Sequence, residues 1–455
     1  MEEVSRMSVK MKQSGIEWIG EIPEHWEVRK LKYVCDMKTG GTPKESIGVN
    51  NYSGVPWIKP SNLTDNVKIS QYSQYISEDV FNKCGYTLFP AGSTLLCCIA
   101  SIGKCGYAIK PVYSNQQITA LVPKSNIVSL YITYFIKYLK DKLIYDAACN
   151  VVPILNTQYL KNIQMPHPPI EEQRLIAVQL NQICGTLDNT KADIEKQIEI
   201  LNEYKKSVIT EAVTKGLDKN VEMKDSGIDW IGEIPEHWDF GKVKYFCRTR
   251  NQKYNKVMGE LTYIALENIE SWNNKFIETD SNYSLEDTNI CCNGDIIFGK
   301  LRPYLAKVLQ INKTSCCSTE FAVFYNFKGI TGYFKYLFTT NIFICEVNNS
   351  TSGVKMPRAS TDFINNMYIP IPPINEQQEI VTYLDSKCSE IDSIIETKKQ
   401  QLELLEEYKK SIIYEYVTGK REVTASLDKV TALLAEVSAK PDFAVAQNTQ
   451  SVSIE

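Results

Sequence analysis

Five side chains in the second half of the chain could grip a polyanion: Lys300, Arg302 and Tyr304 within KLRPY, and Lys355 and Arg358 within GVKMPRAS. A guanidinium offers a planar fork of donors that fits phosphate oxygens and the paired acceptors on a base edge, whereas an ammonium acts as a point charge. In the first half Thr39, Gly40, Gly41, Thr42 and Lys44 spell TGGTPK. That composition predicts a flexible loop whose backbone approaches phosphate closely, because glycine carries no Cβ. Lys59, Asn62 and Lys104 are further candidates for the same contact, and Gln116 and Gln117 suit a strand edge as well as a base edge.

Catalysis finds fewer footholds. The chain has three histidines, of which His25 and His237 each stand in PEHW. With Trp18, Ile22 and Trp26 around the first copy, they read as packing anchors. There is no GxxxxGK[ST] phosphate loop and no Asn-Pro-Pro-aromatic motif, since the Pro-Pro pairs follow His167 and Ile371. No acidic cluster of the kind a metal-dependent nuclease needs stands out, so no catalytic residue and no metal site is assigned.

The elements that must position the candidates come in duplicate. Residues 11–26, MKQSGIEWIGEIPEHW, return at 223–238 as MKDSGIDWIGEIPEHW. A second block opens with PPIEEQRLI at 168–176 and PPINEQQEI at 372–380, and closes with EYKKS at 203–207 and 407–411. The chain is therefore two copies of one plan: short motif, diverged region, helical block. In each helical block Pro stands in the first turn, and Glu171, Glu172 or Glu376 lies against the positive end of the helix dipole. A second helix is expected to follow. Leu187, Ile194, Ile198, Leu201 and Val208 form a heptad seam in the first copy, and Ile391, Ile395, Leu402, Leu405 and Ile412 in the second. Lys191, Lys205, Lys398 and Lys409 interrupt those seams, so the two stripes are expected to pack on each other within the chain. About 27 helical residues from Leu187 would span roughly 40 Å, close to one turn of duplex DNA.

Charge divides along the same boundaries. Residues 27–166 carry 15 Lys/Arg against 8 Asp/Glu, and 239–370 carry 15 against 12. The helical blocks reverse the balance, with 7 against 10 over 167–222 and 7 against 11 over 371–423. A net charge of −4 thus conceals basic regions alternating with acidic helices, as suits a protein that meets DNA at its globular parts. Both diverged regions are rich in Tyr, Asn, Thr, Ser and β-branched residues, which predicts short strands, with helices over 127–143 and 330–346. The predicted class is α/β, mixed α+β: a first globular domain at 11–166, helices at 167–222, a second domain at 223–370, helices at 371–423 and a tail at 424–455. Within the tail, 424–439 has the pattern of an amphipathic helix. The 14 cysteines are scattered without CxxC spacing and are expected as reduced, mostly buried thiols. No apolar signal core or stretch of about 20 apolar residues is present, which predicts a soluble, cytoplasmic protein.

In order and duplication these motifs resemble the specificity subunits of type I restriction-modification enzymes. The marks are IPEHW before each diverged region, TGGTPK at 39–44, GDIIFGKLRPYLAKV at 294–308, SGVKMPRAS at 352–360, and the PPIEEQ and PPINEQ helix openings. The resemblance covers about residues 11–420. It implies two target-recognition domains that each read part of a split, asymmetric site in double-stranded DNA, and antiparallel helices serving as ruler and docking surface. It further implies two methyltransferase subunits as partners, with restriction subunits joining through them. S-adenosylmethionine, ATP and magnesium would then be bound by those partners.

Overall fold

A computed structural model describes residues 10–42, 49–50, 53–83, 86–148, 153–254, 261–279, 287–351 and 356–423. Lys44, Lys355 and the tail from 424 lie outside them. The chain divides into two compact units, one of residues up to 194 together with those from 401 on, the other of 195–400. Each unit combines one globular domain with the near half of its own long helix and the far half of the other.

In the first unit a five-stranded sheet is built from β1 (Cys35–Thr39), β3 (Lys68–Ile69), β4 (Thr94–Cys97), β5 (Cys105–Ala108) and β7 (Ile118–Pro123), in the order β1-β7-β4-β5-β3. A smaller sheet pairs β2 (Val55–Ile58) in parallel with β6 (Tyr113–Ser114). Between them lies a core of Trp57, Ile58, Phe89, Leu95, Tyr113 and Ile118. Helices α1 (Ser129–Tyr138) and α2 (Lys140–Ala148) follow.

The second unit repeats the scheme. Here β8 (Arg248–Arg250), β10 (Ile296–Gly299), β11 (Val308–Gln310) and β13 (Phe321–Tyr325) form an antiparallel sheet in the order β8-β13-β10-β11. Strand β9 (Tyr263–Ile264) pairs in parallel with β12 (Ser315–Cys317). Helices α3 (Thr331–Phe338) and α4 (Asn341–Asn349) pack Tyr333, Phe334, Phe338 and Phe343 onto this sheet. The registers correspond residue for residue, Ile118 facing Cys97 in one unit as Phe321 faces Gly299 in the other.

Two helical expectations need correction. The stretches 127–143 and 330–346 are each a pair of short helices, broken at Leu139 and at Thr339–Thr340. In the second copy the hydroxyls of Thr339 and Thr340 bond back to the carbonyls of Lys335 and Leu337, and the Thr340 side chain caps Phe343 N of the next helix. Conversely, each helical block is one helix, Ile170–Lys215 and Ile374–Val417. Gly185 alone costs about 1 kcal/mol relative to Ala, too little to end a helix of that length. Gly216 and Gly419 terminate the pair with φ of +79° and +72°, the left-handed cap that a side chain would strain.

The long helices run antiparallel within each unit. In the first, Lys191 pairs with Glu406 while Asp188, three residues earlier, pairs with Lys409, three residues later. In the second, Lys205 pairs with Asp392 at 2.6 Å and Lys398 donates to Gln197. The seam lysines that looked like interruptions thus each hold an acidic or amide partner on the facing helix. Leu187, Ile194, Val208, Ile391, Ile395, Leu405 and Ile412 are buried, and Ile198, Leu201 and Leu402 half-buried. Of the 12 described cysteines ten are buried, Cys292 is half-buried and Cys345 is exposed.

Candidate nucleic-acid interface

Each domain is fastened to its helix by the same three residue types. Glu172 Oε1 lies 2.8 Å from His25 Nε2, and its Oε2 accepts from the indole of Trp26 at 2.8 Å. In the second copy Glu376 takes His237 at 2.7 Å and Trp238 at 2.8 Å. The neighbouring Gln173 and Gln377 each accept a backbone N–H, from Val128 and Ile330, and each donate to the Pro carbonyl that opens the helix. Tyr131 and Tyr333 are fully buried, with hydroxyls 3.1 and 3.0 Å from carbonyls of Pro166 and Val213 and comparably close to those of Val417 and Pro370. Burial holds both phenols well above their ordinary pKa, so they stay neutral donors. The packing falls to Trp26 and Trp238, while the exposed His25 and His237 hold the helix through its carboxylate, a correction to the reading of the histidines as packing anchors. Glu172 and Glu376, which the sequence places only against the helix dipole, are the residues that receive them.

The cationic candidates of the second domain do converge. Leu301 bridges Arg358, Ala359 N donates to Lys300 O at 2.9 Å, and Arg302 N to Pro357 O at 2.8 Å. KLRPY and the PRAS end of the second motif are therefore neighbours, joined by an isolated bridge and two flanking backbone hydrogen bonds. Arg302 and Arg358 are exposed, Tyr304 is 46% exposed, and Lys300 is half-buried. Burial lowers the Lys300 pKa, against the pull of Glu320. Arg358 Nη2 donates to Glu320 Oε1 at 2.6 Å, a carboxylate that sequence reading passed over.

The first domain behaves differently. Gly40 and Gly41 are not a loose loop, because their N–H groups already donate to Ile118 O and Ser114 O. A Cβ on Gly40 would stand 2.1 Å from Ser114 O, and one on Gly41 2.7 Å from the Tyr113 hydroxyl. The glycines permit close backbone packing at the end of β1, and the expectation of free amides for phosphate is corrected. Thr39 faces Thr119 across the strand pair, and the Thr42 hydroxyl bonds to the Gln116 side-chain oxygen. Asn62 is likewise corrected: its Oδ1 accepts from Lys59 N, while Nδ2 faces Gln71 O and Ser73 Oγ. Asn268 repeats that pattern with Ala265, Ile277 and Thr279, which marks a turn-former in both domains. Lys59 lies over the Trp57 ring at 4.5 Å, and Lys104 is exposed.

Two domains of one backbone design, with unlike side chains on the corresponding edges, define a duplicated recognition module. The chain belongs to the family described as type I restriction modification DNA specificity domain, whose model matches residues 23–200 and 232–404. It is accordingly a non-catalytic specificity subunit with two DNA target-recognition domains. It is 30% identical over 439 residues to the MjaX specificity subunit of Methanocaldococcus jannaschii, spanning 89% of this chain and 96% of that protein. The EcoDI specificity subunit of Escherichia coli is 22% identical over 433 residues, spanning 89% and 90%. A solved structure from work on assembly and conformational transition of the type I R-M system shares the fold with a TM-score of 0.65 at 12% identity, covering 88% of this chain and 99% of that one. Among the described residues no helix is long and apolar enough to cross a membrane.

Proposed function

We propose that this subunit reads a split, asymmetric target in double-stranded DNA, one half per domain, and docks two methyltransferase subunits, with restriction subunits joining through them. The observation that carries the reading is a shared scaffold whose exposed edges differ chemically, as two unlike half-sites require. Thr39, Thr42, Lys59 and Lys104 in the first domain and Lys300, Arg302, Tyr304 and Arg358 in the second are the contacts we assign to DNA.

Docking of two copies of one partner is supported by the helices. Ile200 and Leu404 occupy the same position of the repeated block and are 57% and 60% exposed, apolar surface with no structural duty. S-adenosylmethionine, ATP and magnesium are then held by the partners. On its own with magnesium the chain neither cuts nor methylates DNA.

Exchange of residues 27–166 for the corresponding region of a relative tests the reading. Assembled with its methyltransferase, the hybrid should modify sites altered in one half alone, as read by sequencing of methylated positions. Change in both halves, or in neither, would overturn it.

A further inference from the structure

The edge that carries Lys300 and Arg358 has a counterpart in the first domain that sequence comparison does not reveal. Lys300 N donates to Glu320 O at 2.8 Å, and Cys98 N to Gln117 O at 2.7 Å. Ala359 N donates to Lys300 O at 2.9 Å, and Leu155 N to Cys98 O at 3.0 Å. Leu301 bridges Arg358 as Ile99 bridges Ile154. The residue after each bridge is left-handed although it is not glycine, Arg302 at φ +52° and Ala100 at +64°. Such a conformation costs about 1–2 kcal/mol for an L residue, and strain retained at one place in both copies points to a working surface.

By these hydrogen bonds Cys98, Ala100, Gln117 and Ile154 stand where Lys300, Arg302, Glu320 and Arg358 stand. The backbone is the same. The chemistry is opposite: uncharged with an exposed Ile154 in one domain, three cations and a carboxylate in the other, Arg358 bonded to Glu320.

Resting on the function proposed above, we infer that this edge reads bases in each domain, through its exposed side chains alone since Cys98 is buried, with Arg358 reading guanine and Glu320 as its positioning residue. Arg358 is 58% exposed at its side chain, and among the described residues its guanidinium bonds to Glu320 alone. One Nη is thereby fixed while other donors of the fork remain for the O6 and N7 acceptors of guanine. Holding the fork before DNA arrives removes part of the ordering cost of binding. Arg250 shows the alternative: its Nε–Nη2 edge binds both oxygens of Asp295, at 2.9 and 3.2 Å, its plane lies 4.3 Å over Tyr325 and its side chain is only 19% exposed, which leaves little to offer DNA. Glu320 Oε2 is enclosed without a hydrogen-bond partner among the described residues, so the brace runs through Oε1. In the first domain Gln117 Oε1 already accepts from Asn115 Nδ2 at 2.8 Å, so the exposed Ile154, an apolar chain suited to the thymine methyl, is what this edge offers.

The test uses the subunit assembled with its methyltransferase. Duplexes carrying its own methylated motif are varied to each of the four base pairs at every position, and binding and methylation are measured. Arg358→Lys keeps the charge but loses the fork, and Glu320→Gln keeps the shape but loosens the brace. Both should erase a guanine preference, on the order of ten- to a hundredfold, at the same single position of the second half-site. The first half-site and the salt dependence should stay as they were. An Arg358→Ile, Glu320→Gln double variant should shift that position toward A·T.

Intact guanine preference in Arg358→Lys, or uniform weakening at all positions in both variants, would overturn the inference. Should Glu320→Gln fail to assemble, Arg358→Lys decides alone. A wild-type complex that shows no split motif would instead sink the proposed function, so the two failures are distinguishable.

Discussion

The anchor of each unit and its reading edge were duplicated together, yet they have aged in opposite ways. His25, Trp26 and Glu172 are matched type for type by His237, Trp238 and Glu376, at nearly the same distances. On the reading edge Cys98, Ala100, Gln117 and Ile154 correspond to Lys300, Arg302, Glu320 and Arg358 with no residue in common, while each unit keeps the same pattern of backbone hydrogen bonds. The anchor must satisfy a buried indole N–H and fit one helix end, a demand that side chains alone can meet. The edge demands only a backbone shape, so its side chains are free to follow the target.

The largest effect that could break this comparison comes from the anchors. Trp26 and Trp238 are 2% and 0% exposed, and replacing either by Ala should cost about 3–5 kcal/mol. The loss should stay within the unit concerned, with hydrogen exchange rising in residues up to 194 and from 401 for Trp26→Ala, and in 195–400 for Trp238→Ala. Equal loss of protection in both units for either variant would mean that the anchors do not act unit by unit.

An intermediate effect sharpens the contrast between the helix pairings. Lys409→Met leaves Asp188 without its partner at a site only 27% exposed, whereas Lys205→Met leaves Asp392 with Lys275 at 3.2 Å. We expect losses of about 2 and about 1 kcal/mol respectively in chemical denaturation, because an uncompensated carboxylate at a partly buried site is the costlier remainder. The reverse order would show that burial of Lys205 outweighs the second cation.

The smallest effect concerns the bridging carboxylates. Glu172→Gln and Glu376→Gln each keep one acceptor oxygen, enough for the indole, and turn the other into an NH2 donor facing the histidine, for about 1 kcal/mol apiece. Thermal unfolding should find the two costs alike. A clear inequality would deny that the anchors are equivalent.

Much of this was legible in the residues. The repeated IPEHW and Pro-Pro-Ile blocks located both anchors and both helices, and the heptad positions named the buried seam. Lys300, Arg302 and Arg358 stood out as cations in loop-like motifs, and they do meet. Other features were hidden for physical reasons. Gly40 and Gly41 read as freedom because glycine permits many conformations, but which one it adopts depends on Ser114 and Tyr113, more than 70 residues away. Asn62 looked like a reader because an amide offers donor and acceptor alike, and only the folded turn shows both already engaged. Glu320 drew no notice because a lone carboxylate in a basic region carries no pattern.

What the sequence determined by itself is the doubling, the helical blocks and the residues each helix must bury, since periodicity and capping act over a few neighbouring positions. What the tertiary structure alone decided is which half of each helix joins which unit, and that Ile154 and Arg358 occupy one place on a common scaffold. Those facts rest on hydrogen bonds and ion pairs between segments tens to hundreds of residues apart, where local preference has no influence and only the fit of the whole selects the partner.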